Sequence, residues 1–354
     1  MNESKITRRE FISGLAAAGA FAELGQGQAK ASKIDRYTLV SRHNPIIRRF
    51  DPLSPLSVGN GEFAFTCDIT GLQTFPDLYK DAMPLCTMSQ WGWHTTPQPK
   101  HLQGKELRLN EYETHGRKVG YATARDGQEE LFNWLRENPH RLHLGQIGLR
   151  LMKVDGSEAK PANITDVEQR LDLWTGTIHS SFRLEGVAVR VVTAVHPSRD
   201  LLAVRVDSNL AEQGRIAVRF AFPYGSPTMH AADWHQSDRH VSVLTTKTNG
   251  GIIERQLDND RYFVELKWHT LSAKVGQQGP HEFLLKTAIG RFIDFTVEFS
   301  PIGAAKVRTP FATTVFEDSA DRWSSFWKTG ASVEFSDSRD PRANELERRI
   351  VLSQ

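Results

Sequence analysis

The chain has 354 residues, 39% of them hydrophobic, enough to bury the core of one large or two medium domains. Lys and Arg number 44 against 42 Asp and Glu, and the formal charge of +2 comes without a basic run or stripe, so no nucleic-acid partner is expected. Eight Trp and nineteen Phe supply core material, and a Trp exposed beside polar groups can hold the apolar face of a ligand.

At the N-terminus, SKITRREFISGLAAAGAFAELG sets Arg8 and Arg9 just before Phe11 and Ile12. Small apolar residues follow, and then Ala29-Lys30-Ala31, a cleavage pattern. Residues 1–31 resemble a twin-arginine export signal, which predicts a periplasmic or secreted protein. A short amphipathic anchor is the alternative, because the apolar stretch from Phe11 to Leu24 is too short to span a bilayer. No other segment is expected to cross a membrane.

Beyond the signal the dominant period is two, the period of strands. GEFAFTCDI (61–69) comes first and GQIGLRLMKV (145–154) next. The long run 167–195 is broken at Thr175-Gly176 and Glu185-Gly186. Segments 200–208, 214–222, 239–246, 261–270, 282–288 and 291–301 continue the pattern. Short strands at turn-punctuated intervals predict a mainly β fold, an antiparallel sandwich. Helical patterning is confined to 127–138, to 316–330 with Trp323, Phe326 and Trp327, and to PRANELERRIVLSQ at 341–354. In that last stretch Ala343, Leu346 and Ile350 form an apolar stripe, with a short strand-like ASVEFSD just before it. Irregular, Pro-rich chain at 41–60 and 76–104 is long for a connector and suspect as functional loop.

Cys67 and Cys86 are the only cysteines. In an exported protein they could pair, and closing that loop would contribute about 3 kcal/mol. However, Cys67 shares a strand face with Phe63, Phe65 and Ile69, where a free thiol acts as a small hydrophobe. Two reduced, buried thiols are expected.

The most ligand-like cluster is Ser89-Gln90-Trp91-Gly92-Trp93-His94. A sugar ring stacks its C–H face on indole, while its hydroxyls need groups such as Gln90 and His94. Trp91 and Trp93 could equally plug the sandwich. Asn60, within Ser57-Val58-Gly59-Asn60-Gly61, reads either as a turn feeding a strand or as a loop reaching a sugar. His230 to His235, with Asp238 and His240, matches no strong metal-ligand spacing; Trp234 there is a candidate sugar contact, and an ordinary surface loop is the bland alternative. Glycoside cleavage needs two carboxylates about 5–5.5 Å or about 6.5–9.5 Å apart. Asp68 and Asp233 are candidates, although Asp68 alternates away from the aromatic face and is expected to be exposed or hydrogen-bonded. No catalytic residue, metal or cofactor is assigned.

LSVGNGEFAFTCDITGLQTF (56–75), PLCTMSQWGWHTTP (84–97) and FWKTGASVEFSDSRDPRANELERRIVLSQ (326–354) carry a family resemblance. The chain resembles the glycoside hydrolase family 65-like proteins, relatives of the maltose, trehalose and kojibiose phosphorylases. That resemblance implies a galactose-mutarotase-like β super-sandwich at 32–305, a helical linker at 306–340, and at 341–354 the first helix of an (α/α)6 barrel. In such proteins the catalytic residues lie in the barrel, so none is carried over. The implied protein is an exported carbohydrate-associated domain, noncatalytic by itself, with an oligosaccharide or glycoside substrate, the barrel as intramolecular partner and a possible homodimer. A free-standing carbohydrate-binding protein is the alternative. On the fragment reading, the terminal stripe with Trp323 and Trp327 should form an exposed apolar patch, and deleting 341–354 should improve solution behaviour.

Overall fold

Alternation of apolar and polar residues organises most of this chain into antiparallel strands. The computed structural model describes residues 34–269, 272–303 and 308–354; the segment read as an export signal lies outside them. Helix α1 (Arg36–Ser41) leads into β1 (Ile46–Ile47), β2 (Leu56–Gly59), β3 (Phe63–Cys67), β4 (Thr87–Ser89) and β5 (Trp93–His94). A hairpin of β6 (Asn110–Thr114) and β7 (Arg117–Tyr121) precedes α2 (Glu129–Glu137), β8 (His140–Arg141) and β9 (Gln146–Leu151). Next come β10 (Ile164–Asp172), β11 (Thr177–Leu184), β12 (Val187–Val195), β13 (Leu201–Asp207), the one-turn α3 (Asn209–Glu212) and β14 (Ile216–Ala221). The remaining strands are β15 (His240–Lys247), β16 (Gly250–Leu257), β17 (Asp260–Trp268), β18 (Lys274–Gly279), β19 (Glu282–Lys286) and β20 (Phe292–Ser300). Helices α4 (Ala312–Lys328) and α5 (Ala343–Leu352) follow.

Two sheets face each other across one core. The larger has nine strands in the order β1-β10-β11-β12-β13-β20-β17-β16-β15, and the smaller has four in the order β18-β19-β14-β9. Val204, Val206, Phe295 and Val264 from the first meet Leu149, Val218, Phe220 and Phe283 from the second, all nearly fully enclosed. Phe220 and Phe295 touch edge to face across the gap at 5.9 Å. A third sheet, β2-β3-β4, adds Phe63, Phe65 and Cys67 to the same core. The class is mainly β, as its period predicts: a β sandwich with a few helices.

The run 167–195 becomes β10, β11 and β12, with both predicted breaks at the turns. Nine described strands escape the pattern, and five of them, β1, β2, β4, β5 and β8, are two to four residues long, too short to show a period. β6 and β7 pair only with each other and are solvated on nearly every residue, so no alternation marks them. β16 opens on Gly250-Gly251, which reads as a turn, and buries a charged residue, Arg255. β18, KVGQQG, is a polar edge strand. ASVEFSD, expected to be strand-like, forms no strand: its backbone runs toward α5, where the Phe335 amide donates to Glu347 Oε2 at 2.6 Å.

Strand register explains the thiols. Thr66 pairs with Cys86 through a backbone bond of 3.0 Å, continuing the β3–β4 ladder, so Cys67 and Cys86 project from opposite faces. Both are free; Cys67 is buried as expected, whereas Cys86 is only partly so. Burial pushes the Cys86 thiol up to about 11 and the Cys67 thiol higher still.

On the outer face of the large sheet, α4 packs Ala312, Val315 and Phe316 on Leu201 and Ala203. Trp327 is buried and donates its indole N–H to Leu173 O at 2.6 Å. The Arg36 guanidinium donates to three carbonyls where α4 ends, those of Trp327 (3.0 Å), Thr329 (2.9 Å) and Gly330 (2.8 Å). The expected patch is therefore only partly real: Trp327 has its partners, and Leu346 is 51% exposed. α5 docks by another face, through buried Glu347 and Val351. Glu347 meets His43 at 2.6 Å and Arg42 at 2.7 Å. Residues 36–354 make one compact unit.

Candidate functional site

The loop between β4 and β5 alternates anchors with presented side chains. Trp91 Nε1 donates to Asp200 Oδ2 at 2.6 Å, and Ser89 Oγ donates to the same oxygen at 2.5 Å. His94 is buried, its Nδ1 2.7 Å from Asp260 Oδ2 and its Nε2 3.3 Å from Asp258 Oδ2. With these residues held inside, Gln90 and Trp93 face out, and Trp93 is 44% exposed. The Arg141 guanidinium lies 4.2 Å over the Trp93 ring and donates to the carbonyls of Ser89 and Gln90, both at 3.1 Å. Trp91 and His94 thus serve as the loop's internal supports, leaving Gln90 and Trp93 as the two members a ligand can reach.

Gln90 opens onto a cleft of about 600 Å³, lined by residues of the β2-β3-β4 sheet and by α4. Ala64, Leu173 and Trp323 give its apolar lining; Glu62, Gln90 and Arg141 give charged and amide groups. Gly176 has φ +65°, and a Cβ there would stand 2.0 Å from Trp323 Cδ1. Only glycine lets the indole lie against that backbone. The cleft thus offers a flat aromatic surface, one carboxylate, one amide and one guanidinium, a set suited to a polyhydroxylated ring.

Asn60 closes the turn before β3. Its Oδ1 accepts the amides of Glu62 (3.0 Å) and Phe63 (2.8 Å), and its Nδ2 donates to the carbonyls of His196 and Arg199, both at 3.0 Å. These bonds occupy the amide with backbone. Of the two arrangements expected for Asp68, exposed or hydrogen-bonded, the second holds: it is fully enclosed, accepting from Thr70 N (2.8 Å), Thr70 Oγ1 (2.6 Å) and Phe75 N (2.7 Å). Burial pushes its carboxyl up to about 6 against the pull of those donors.

Trp234 lies elsewhere, 47% exposed, on a second pocket of about 440 Å³ over the four-stranded sheet. Its ring meets His143 edge-on at 6.3 Å. His143 is buried, which pushes its imidazole down to about 4. Among the described residues, no group of three or more His, Cys, Asp or Glu is placed to hold a metal ion. No described helix is long and apolar enough to cross a membrane.

Sequence reasoning brought Gln90 and Trp93 together but missed Glu62, Arg141 and Trp323. Glu62 carries a findable signal, since it is the polar residue directly after the Gly59-Asn60-Gly61 turn. Trp323 is over a hundred residues from the other lining groups, and only the glycine at 176 hints at a neighbour lying close.

No family model matches this chain, and no curated protein matches it. Among solved structures it is similar to the "Putative kojibiose phosphorylase from human microbiome", at 10% sequence identity and a TM-score of 0.47. That match covers 87% of this chain and 37% of the other, so the chain spans little more than a third of that protein's length.

Proposed function

We propose that this chain is the carbohydrate-associated β domain of an exported enzyme acting on glycosidic bonds by hydrolysis or phosphorolysis, and that it holds saccharide without cleaving it. The observation that carries this reading is the cleft that Trp323 lines together with Glu62, Gln90 and Arg141. An indole sharing a cleft with groups that both donate and accept is the chemistry of sugar recognition. Among the described residues, Glu62 is the one acidic residue lining that cleft, whereas glycoside cleavage needs two carboxylates. The motifs SVGNGEFAF and SQWGWH support the resemblance to glycoside hydrolase family 65-like proteins, and the N-terminal Arg8-Arg9 pattern supports export.

Calorimetric titration with maltose, kojibiose and trehalose tests the binding. The wild-type chain should bind at least one, and Glu62→Gln and Gln90→Ala should each weaken it about tenfold without moving the thermal midpoint. Absence of binding by the wild type overturns the proposal, and release of monosaccharide by the purified chain overturns its noncatalytic half. Fusing residues 1–31 to a reporter tests export: transport should stop when Arg8 and Arg9 are both replaced by Lys.

A further inference from the structure

We propose that the Trp234 pocket is a second saccharide site, separate from the Trp323 cleft, taking one neutral pyranose unit. This rests on the carbohydrate reading above but on different residues, for no residue lines both spaces.

Register builds the pocket floor. Ala221 pairs with Gln146 on one side and with Glu282 on the other, and Arg219 lies two residues away on the same strand. Period two therefore puts Gln146, Arg219 and Glu282 on one face, while Ile147, Phe220 and Phe283 turn into the core. The segments carrying Lys80 and Asp233-Trp234 supply the rest of the lining.

The charged groups here are gathered without pairing as ions. Gln146 is only 5% exposed; its Oε1 accepts from Arg219 at 3.1 Å, and among the described residues its amide nitrogen donates to none. Lys80, Arg219, Asp233 and Glu282 form no ion pair within 4.0 Å among the described residues, although Arg205 and Asp294, on the other sheet, close to 2.7 Å. The Gln146 amide nitrogen therefore points its protons into the pocket, where it can donate to whatever enters. What fills it must accept from a guanidinium and an amide and also donate to carboxylates. A sugar hydroxyl does both at one atom. The two cations, Lys80 and Arg219, face three acids, Asp77, Asp233 and Glu282, which disfavours a phosphate or other anion. Trp234 offers half its surface as the platform for the C–H face.

The test uses the full chain labelled with fluorotryptophan, with maltose as probe. The fluorine resonance that disappears in Trp234→Phe should shift as maltose is added to the wild type. Glu282→Gln and Arg219→Met should each weaken the binding reported by that resonance by about tenfold or more. Gln90→Ala, in the other cleft, should leave that signal's response in place. If maltose binds with the Trp234 resonance unmoved, and Gln90→Ala abolishes that binding, the second site is overturned and the cleft reading stands. A Trp234 response that survives Gln90→Ala, with no loss of total binding, sustains the second site and sinks the cleft. No binding of any kind overturns both.

Discussion

Asp200 Oδ2 accepts both the Trp91 indole N–H and the Ser89 hydroxyl, so one carboxylate oxygen, 109 residues away in sequence, sets the course of the whole β4–β5 loop. Replacing Asp200 with Ala leaves two part-buried donors without an acceptor, a loss of about 1–3 kcal/mol. Asp200→Ala should therefore lower the thermal midpoint and weaken saccharide binding together, because Gln90 and Trp93 lose their footing. Asp200→Asn keeps one acceptor oxygen and should fall between. Unchanged calorimetric affinity in Asp200→Ala would mean that the anchors do not position the loop.

Gly176 and Trp323 predict a coupled pair. Gly176→Ala must push the indole away and also strain a backbone at φ +65°, for an overpacking cost of about 1–3 kcal/mol before strain. Trp323→Ala should cost stability too, yet the double variant should lose less than the two singles together. Denaturant titration of the four proteins reads the coupling, and strict additivity would contradict the contact.

Stability should fall on acidification. Burial, with Arg255 and His281 nearby, pushes His240 down to about 3, burial pushes His143 down to about 4, and burial also lowers His281. An imidazole depressed in the folded state stabilises above its unfolded value of about 6.5, and that contribution drains away as pH falls toward the folded values. Asp68, raised to about 6 by burial, runs the other way: its contribution is present at low pH and lost as pH rises through 6. Three histidines outweigh one carboxyl, so the unfolding free energy should decline from neutrality toward about pH 5. His240→Asn should flatten the decline measured by denaturant titration, and an equal slope would show that His240 is not a source of it.

The terminal helix should stabilise this domain. Glu347 is buried against His43, Arg42 and the Phe335 amide; burial raises its carboxyl, but these three partners outweigh that and hold it below its usual range. Glu347→Ala leaves these groups facing a void and should cost about 1–3 kcal/mol. Deleting 341–354 should likewise lower the midpoint in scanning calorimetry rather than improve solution behaviour. A deletion that leaves the midpoint unmoved would return the helix to the role of an unpartnered segment.

Sequence legibility followed the physics of each element. The β10-β11-β12 run was readable because a half-buried strand alternates and its hairpin turns need Gly. The β6-β7 hairpin was not, since neither of its faces is buried and period two never appears. In the candidate site, residue types singled out the loop but could not sort its members. Trp91 and Trp93 are two positions apart and chemically identical, and what separates them is Asp200. His94 likewise reads as a free imidazole until Asp260 is placed beside it, 166 residues on. Partners at that separation leave no trace in a local pattern. Trp323 read as part of an exposed apolar patch, and it became cleft lining only because the opposing backbone at 176 has no side chain to cover it.

The grip of Arg36 on the carbonyls of Trp327, Thr329 and Gly330 has a consequence during synthesis. The first helix of the folded unit finds its partners only after nearly three hundred further residues have left the ribosome. Until then its buried Leu39 and Val40 have no linker to rest on. The nascent domain is thus kept open at its leading end until residues 327–330 emerge, and closure of that end waits on them.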